Sequence, residues 1–260
     1  MGKAEWGVDP EFFGPRHAYR ESRITSRLRR AAPTPGVHLE CAAGVGSLSL
    51  TLAREGRTVV ATDLSLRSLE YLARRAHSSG LSRKVLLVVG DINHLPFNDG
   101  TFSTATSAET LEHVPNDQGA VEELARVLQP DGWLVGTVPA GPSQWSDWDD
   151  WAGHLRRYAS RDMEGLLRRA GFEPQATTWG WPLLRLYDEF FLKRVNRRRL
   201  THNGPVADDP GLRTVSGLGR RKGLVALVRA LFTLDRPFDG APWGVGLLFT
   251  ARKKESRRRS

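Results

Sequence analysis

Three acidic residues stand at the ends of short apolar runs: Val37-His-Leu-Glu40, Thr58-Val-Val-Ala-Thr-Asp63 and Val85-Leu-Leu-Val-Val-Gly-Asp91. Carboxylates so placed can accept hydrogen bonds from ligand hydroxyls or amines. The first is followed by Cys41-Ala-Ala-Gly44-Val-Gly46, whose glycines let backbone approach a ligand closely at a helix N-terminus, or simply make a tight turn. A dinucleotide fingerprint needs Gly-x-Gly-x-x-Gly, and Ser49 stands in the last glycine's place, so a dehydrogenase reading loses ground. Further along, Glu109, Glu112 and His113 are spaced so that a helical turn would carry them on one side. Such a cluster can host a metal ion or hold a general base. The single cysteine, Cys41, reads as a small buried apolar residue rather than a nucleophile.

The elements that must position these residues follow from periodicity. From Val37 to about Val138, short apolar runs alternate with helix-like stretches, the pattern of a parallel sheet built from βαβ units. Strands are expected over 37–40, 58–62, 85–89, 102–108 and 133–138, with helices over 47–54, 66–78 and 118–128. All strand C-termini of such a sheet open on one edge, where ligands bind. Beyond Pro139 come an aromatic and acidic loop, 144–151, a helix over 161–170, a sixth strand over 172–181 and a seventh over 244–250. The stretch between those last two strands is too long for a loop and is expected to hold structure of its own.

Composition narrows the class. Over 260 residues the formal net charge is +9, from 38 Lys+Arg against 29 Asp+Glu. One cysteine excludes a disulfide framework and any Cys-based zinc site, and fits a reducing compartment. Residues 1–10 have no apolar run of the kind a signal peptide needs, and the longest apolar stretch, 224–234, is too short to span a bilayer. A cytoplasmic location is therefore expected. The charge is uneven: residues 1–182 hold 20 basic and 22 acidic residues, net −2, whereas residues 183–260 hold 18 and 7, net +11.

The ordered series of segments resembles the class I S-adenosylmethionine-dependent methyltransferases, particularly their small-molecule group. Glu40-Cys-Ala-Ala-Gly-Val-Gly46 is similar to the family's acidic-x-Gly-x-Gly-x-Gly loop, with Ala42 in the first glycine's place, a mild departure if its φ is negative. Leu95-Pro-Phe97, Leu111-Glu-His-Val114 and Arg126-Val-Leu-Gln-Pro-Asp-Gly132 follow in the family's order; Ser103, where the family often has Asp, is read as harmless. The resemblance implies a Rossmann-like doubly wound α/β sheet of about seven strands, the last antiparallel. It implies S-adenosylmethionine bound by Glu40, Ala42, Gly44, Gly46, Asp63, Leu64, Asp91 and Ile92. Asp63 would hold the ribose hydroxyls, Asp91 the adenine amine, and Ile92 would pack on the ring. An acceptor would then approach the end of strand four, with His113 and Glu109 as the catalytic candidates. Glu109-Thr-Leu-Glu-His113 also resembles the Glu-x-x-Glu-His element of metal-dependent relatives, which would make Glu109, Glu112, His113 and His154 ligands to a divalent ion. No Asn/Asp-Pro-Pro-Tyr follows strand four, which disfavours methylation of a nucleobase or amide nitrogen.

The expected organisation is an N-terminal helical cap over 1–35, a cofactor-binding core over 36–181, a basic helical insert or lid over 182–242, and a last strand with a basic tail over 243–260. Trp145, Trp148 and Trp151, interleaved with Asp147, Asp149 and Asp150, can wall an acceptor pocket or pack a lid. His17, Tyr19 and Arg20 lie in the cap, which either covers the cofactor or only shields the surface. Apolar helices edged by Lys and Arg suit a lid over a hydrophobic acceptor, an anionic membrane interface, or an insert packed on the sheet with a solvated basic rim. The activity expected is methylation of a small hydrophobic acceptor at oxygen. Its rivals are a metal-dependent RNA 2′-O-methyltransferase and a non-catalytic cofactor-binding protein. Nucleic acid ranks below the lipid reading for want of an RNA-binding module, and the sequence does not indicate an oligomeric state.

Overall fold

The computed structural model describes residues 14–201, 211, 214, 217, 218 and 221–254. The expectations for residues 1–10, for part of the insert and for the last residues of the basic tail lie outside the described residues.

Five strands follow the apolar runs: β1 (Val37–Cys41), β2 (Thr58–Asp63), β3 (Val85–Val89), β4 (Phe102–Ala108) and β5 (Leu128–Pro139). They are joined in parallel in the spatial order β3-β2-β1-β4-β5. Two more strands, β6 (Phe172–Trp179) and β7 (Gly246–Lys253), complete a seven-stranded sheet. The last strand inserts between β5 and β6 and runs antiparallel to both. The mixed α/β sheet expected from the sequence is thus the architecture found.

Because parallel strands are buried on both faces, the sheet separates two apolar layers. One face carries α4 (Asp117–Val127) and α6 (Ser160–Arg169), whose Val121, Leu124, Met163 and Leu167 pack on Leu39, Ala105 and Phe249. The other carries α1 (Pro15–Ala31), α2 (Ser47–Arg54) and α3 (Leu66–Ser78), with Tyr19, Leu28, Leu52 and Leu72 packed on Val59 and Val135.

Among the described residues between β6 and β7 there are helices, the structure expected of so long a stretch. α7 (Leu183–Tyr187) runs through a π-helical turn (Asp188–Leu192) into α8 (Lys193–Thr201), and α9 (Lys222–Phe232) leads through a 3-10 turn (Thr233–Phe238) toward β7. Phe232 and Leu184 join the core layer beneath α1. Tyr19 is the hub, its ring 5.8 Å from those of both Trp179 and Phe232. Among the described residues, no helix is long and apolar enough to cross a membrane. One short helix, α5 (Asp147–Ala152), occupies the aromatic and acidic loop.

Candidate functional site

The register of β1 with β2 and β4 places Glu40, Asp63 and Glu109 on the same edge of the sheet, with Asp91 two residues beyond β3. The loop after β1 is held by Asp63, whose Oδ2 accepts from the Gly44 amide at 2.8 Å while Oδ1 accepts from Ser65 N at 2.8 Å. Gly46 precedes α2 with φ 74°, and a Cβ there would lie 2.1 Å from Leu72 Cδ1, so both the dihedral and the packing require glycine. Glu40 is buried under α2, accepting from the Ser49 hydroxyl. That contact gives Ser49 a structural reason to stand where a dinucleotide fingerprint would have glycine. Cys41 is buried, which pushes its thiol up to about 12, so the thiolate is not formed near neutral pH.

One expectation about this loop is corrected. Ala42 was expected at negative φ; it is found at φ 53°, in the left-handed region, where Cβ crowds the backbone. The turn that brings Gly44 back onto Asp63 demands that conformation. Ile92, expected to pack on the adenine ring, sits at the rim of the core beside Val60 and Leu95 with 8% of its surface accessible. Leu64, next to Asp63 and 72% exposed, has the larger open apolar surface. Asp91 Oδ1 accepts from the Asn93 amide at 2.9 Å, which fixes the carboxylate at the turn.

Beyond β4 the chain makes a strained corner. Glu109 has φ 53°, an uncommon conformation for a non-glycine residue and one associated with functional sites. Its amide donates to Thr137 O at 2.8 Å, and its Oε2 lies 3.4 Å from Arg20 Nη1 of α1. The expected helical turn is a 3-10 turn limited to Leu111–His113, so Glu109 precedes it rather than sharing its face. Glu112 is fully buried, and neither carboxylate oxygen has a hydrogen-bond partner among the described residues. Burial, and then the neighbouring Glu109, raise the Glu112 carboxyl well above the usual range. For Glu109, burial pulls upward too, but Arg20 and Arg16 outweigh it and hold this carboxyl below its ordinary value. Two acids close in sequence are thereby driven apart, one toward the neutral form and one toward the anion.

The loop after α5 brings His154 to this corner, because the Leu155 amide donates to Glu112 O at 2.7 Å. The rings of His113 and His154 lie 4.8 Å apart, centroid to centroid. Nδ1 of His154 bonds Asp149 Oδ1 at 2.7 Å, and Nδ1 of His113 meets Gly153 O at 3.3 Å. As Nδ1 donates in each case, Nε2 becomes the ring's acceptor atom. Burial and the adjacent His154 lower the His113 pKa below 6.5, which favours its neutral form. Ligand atoms of Glu112, His113 and His154 all lie within 4.8 Å of one another; Glu109, included in the expected ligand set, is not in that group.

Several residues to which the sequence assigned no place in the site hold the arrangement. Asp149, grouped with tryptophans that could wall a pocket or pack a lid, is fully buried. It accepts from His154, from Arg157 Nε at 2.8 Å and Nη2 at 2.9 Å, and from Ser146 N at 2.8 Å. The signal was present: Ser146-Asp-Trp-Asp149 has capping-box spacing, and Asp149 serves as the box acid as well as the His154 anchor. Trp148 and Trp151 pack on each other at 4.6 Å, while Trp145 is exposed and donates to Asp150. Arg20 reaches Glu109, and His17 lies 3.0 Å from the Ser47 hydroxyl, so α1 contacts both the loop after β1 and the corner after β4. Asp188 of the π-helical turn pairs with Arg16 of α1 at 3.5 Å.

Residues 39–136 match the family model described as a methyltransferase domain. The chain is 34% identical over 116 residues to methyltransferase GfsG of Streptomyces halstedii, covering 44% of this chain and 42% of that protein. It is 31% identical over 154 residues to a demethylmenaquinone methyltransferase of Mycobacterium bovis, covering 59% and 60%. The matches thus span only about half the length of these curated relatives. The crystal structure of the [4+2]-cyclase SpnF superposes with a TM-score of 0.65 at 20% identity, covering 98% of this chain and 89% of that one, a likeness of fold. The strand order, the acid-lined edge and the matched segment agree, and through residues 39–136 the chain carries a methyltransferase domain of the class I S-adenosylmethionine-dependent family.

Proposed function

We propose that the protein transfers the methyl group of S-adenosylmethionine to an oxygen of a small hydrophobic acceptor. The observation that carries this reading is the pairing, on one sheet edge, of the loop held by Asp63 with a buried acid and imidazole corner after β4. The chemistry of the first half suits the cofactor: the Asp63 carboxylate can accept from a vicinal diol, Asp91 from an amine, and exposed Leu64 offers apolar surface. Bound there, S-adenosylmethionine supplies an electrophilic methyl on a sulfonium.

A hydroxyl acceptor must lose a proton, so the second half needs a base. His113 is suited to that role, being held neutral by its surroundings with Nε2 as acceptor. Ionised Glu109 would stabilise the imidazolium as it forms. The half-buried corner excludes water and fixes the direction of approach, and proximity supplies much of the rate. GfsG and the demethylmenaquinone methyltransferase are named as methyltransferases, which supports the same reaction class here.

A second reading is favoured by one observation, the unpartnered buried carboxylate of Glu112 beside two imidazoles whose Nδ1 atoms are already engaged. That is the outer-shell arrangement of metal-binding histidines, so Glu112, His113 and His154 fit a divalent ion, with Asp149 orienting His154. Two nitrogens and one oxygen suit Zn²⁺ or Mn²⁺ better than Mg²⁺. Such an ion would supply Lewis-acid activation of the acceptor hydroxyl.

Isothermal titration calorimetry with S-adenosylmethionine, followed by transfer of labelled methyl to extract metabolites, tests the main reading. Asp63→Ala is expected to weaken cofactor binding by tenfold or more, since a hydrogen bond to a charged group is worth about 1.5–3 kcal/mol; unchanged affinity would remove the assigned site. Chelation followed by metal add-back separates base from metal. If the ion binds, Zn²⁺ or Mn²⁺ raises the melting temperature of the wild type and not of Glu112→Ala. Activity indifferent to chelation leaves His113 as the base.

A further inference from the structure

A helix with apolar residues on most of its circumference is normally buried; α9 is apolar save for Lys222 and Arg229 and lies at the surface. Its inner side is committed to the protein: Phe232 is buried against the rings of Tyr19 and Tyr187, at 5.8 and 5.4 Å, and Val228 packs on the same core layer. Its outer side shows Leu224, Leu227, Leu231 and, one turn on, Leu234, of which Leu227 and Leu234 are each 61% exposed. At 3.6 residues per turn Leu224, Leu227 and Leu231 fall within an arc of about 60°. Arg221, Lys222, Arg229 and Arg236 stand exposed along the same element and its 3-10 extension.

We infer that this face of α9 is a docking surface for an anionic membrane, on which the helix lies in the plane of the headgroups. Leucines on one side of the helix, with Lys222 and Arg229 on its opposite side and Arg221 and Arg236 beside its two ends, make the cationic amphipathic pattern that a negatively charged lipid interface takes up. A second copy of this chain fits less well. Pairing through this face would bring together two segments that each carry net +11 over residues 183–260. The docking element is firmly tied down: Asp239, just past the extension, pairs with buried Arg23 of α1 at 2.5 Å, and Asp235 holds the start of α7. Since α1 also carries Arg20 to Glu109, the membrane-facing helix is one helix away from the reactive corner.

Co-sedimentation of the full chain with vesicles of phosphatidylcholine, alone or mixed with phosphatidylglycerol, tests the inference independently of any enzymatic activity. The protein is expected to pellet with the anionic vesicles. Binding should weaken by about tenfold or more when salt rises from about 0.1 to about 1 M, as the screening length falls from about 10 to about 3 Å. Leu227→Asp/Leu231→Asp should reduce vesicle binding by about tenfold or more at low salt. These side chains are exposed, so the circular dichroism spectrum should not change. Failure of the wild type to pellet, or a double variant that binds as well as wild type, overturns the proposal. A dimer seen by light scattering and dispersed by the double variant, without vesicle binding, would assign the face to a second copy. RNA retention lost in Arg221→Gln/Lys222→Gln/Arg229→Gln but kept in the leucine variant, with no vesicle binding, would assign the charge to nucleic acid.

Discussion

Ala42 and Glu109 both occupy the left-handed region without being glycine, and both lie on the ligand edge of the sheet. They differ in what the side chain does. Ala42 is exposed, and its methyl only crowds the turn, whereas the Glu109 carboxylate pairs with Arg20. Ala42→Gly should therefore stabilise the protein by about 1 kcal/mol, read from the urea midpoint. No gain would mean that the loop relaxes around the methyl. The residues at the strand ends were legible because apolar runs locate strand ends and acids there stand out. The pairing of Arg20 with Glu109 and of Asp149 with His154 and Arg157 was not, since only folding brings these partners together. The φ of Ala42 was misjudged for a related reason: a family's glycine shows that a turn is tight, but which residue must go left-handed depends on where Gly44 meets Asp63.

Among the elements, the insert depends most on a distant residue. Asp235 is fully buried in the 3-10 turn after α9, and its two oxygens accept from the amides of Leu183 and Leu184 at 2.8 and 2.9 Å. It thereby supplies the N-terminal cap that α7 lacks locally, and a carboxylate there also meets the positive end of the helix. Asp235→Ala should cost about 2 kcal/mol in denaturant unfolding, at the upper end for a lost cap because the amides are buried. Asp235→Asn, which can still accept one of the two bonds, should lose less; equal losses would point to packing instead. The insert was expected to hold apolar helices edged by Lys and Arg, and they are found at Leu183–Thr201, through the π-helical turn, and Lys222–Phe232. Their periodicity is local, so it was readable. The cap was not, because more than fifty residues of chain separate Asp235 from the amides it serves.

At the scale of the whole molecule, acid sensitivity is set partly by a histidine with no place in the reaction. His38 lies fully buried in β1, its Nδ1 2.8 Å from Thr104 Oγ1 and its Nε2 2.9 Å from Thr106 Oγ1, both on β4. Hydroxyls can donate or accept, so the neutral ring is satisfied there, while burial, assisted by Arg57, lowers its pKa from 6.5 to about 3. The unfolded chain takes up a proton near pH 6.5 and the folded one does not until about pH 3. Stability from this residue is thus whole above pH 6.5 and falls by about 1.4 kcal/mol per unit as the pH drops through that window. Urea midpoints measured across the window should fall less steeply for His38→Gln; parallel profiles would assign the acid sensitivity to other groups. The sequence placed His38 on a strand, but only the pairing of β1 with β4 reveals its two threonines.

The position of β7 bears on how the chain folds in time. Because β7 lies between β5 and β6, with Trp133 opposite Arg252, more than a hundred residues separate partners in the middle of the sheet. A ribosome-bound chain that has emerged only as far as the insert therefore presents β5 and β6 as two open edges, the kind that pair wrongly with other chains. Closing them requires a long loop to be paid out first, which favours slow folding over fast local assembly. The exposed leucines of α9 emerge just before the strand that seals the sheet, so in the nascent chain an apolar helix and two unpaired edges are open together.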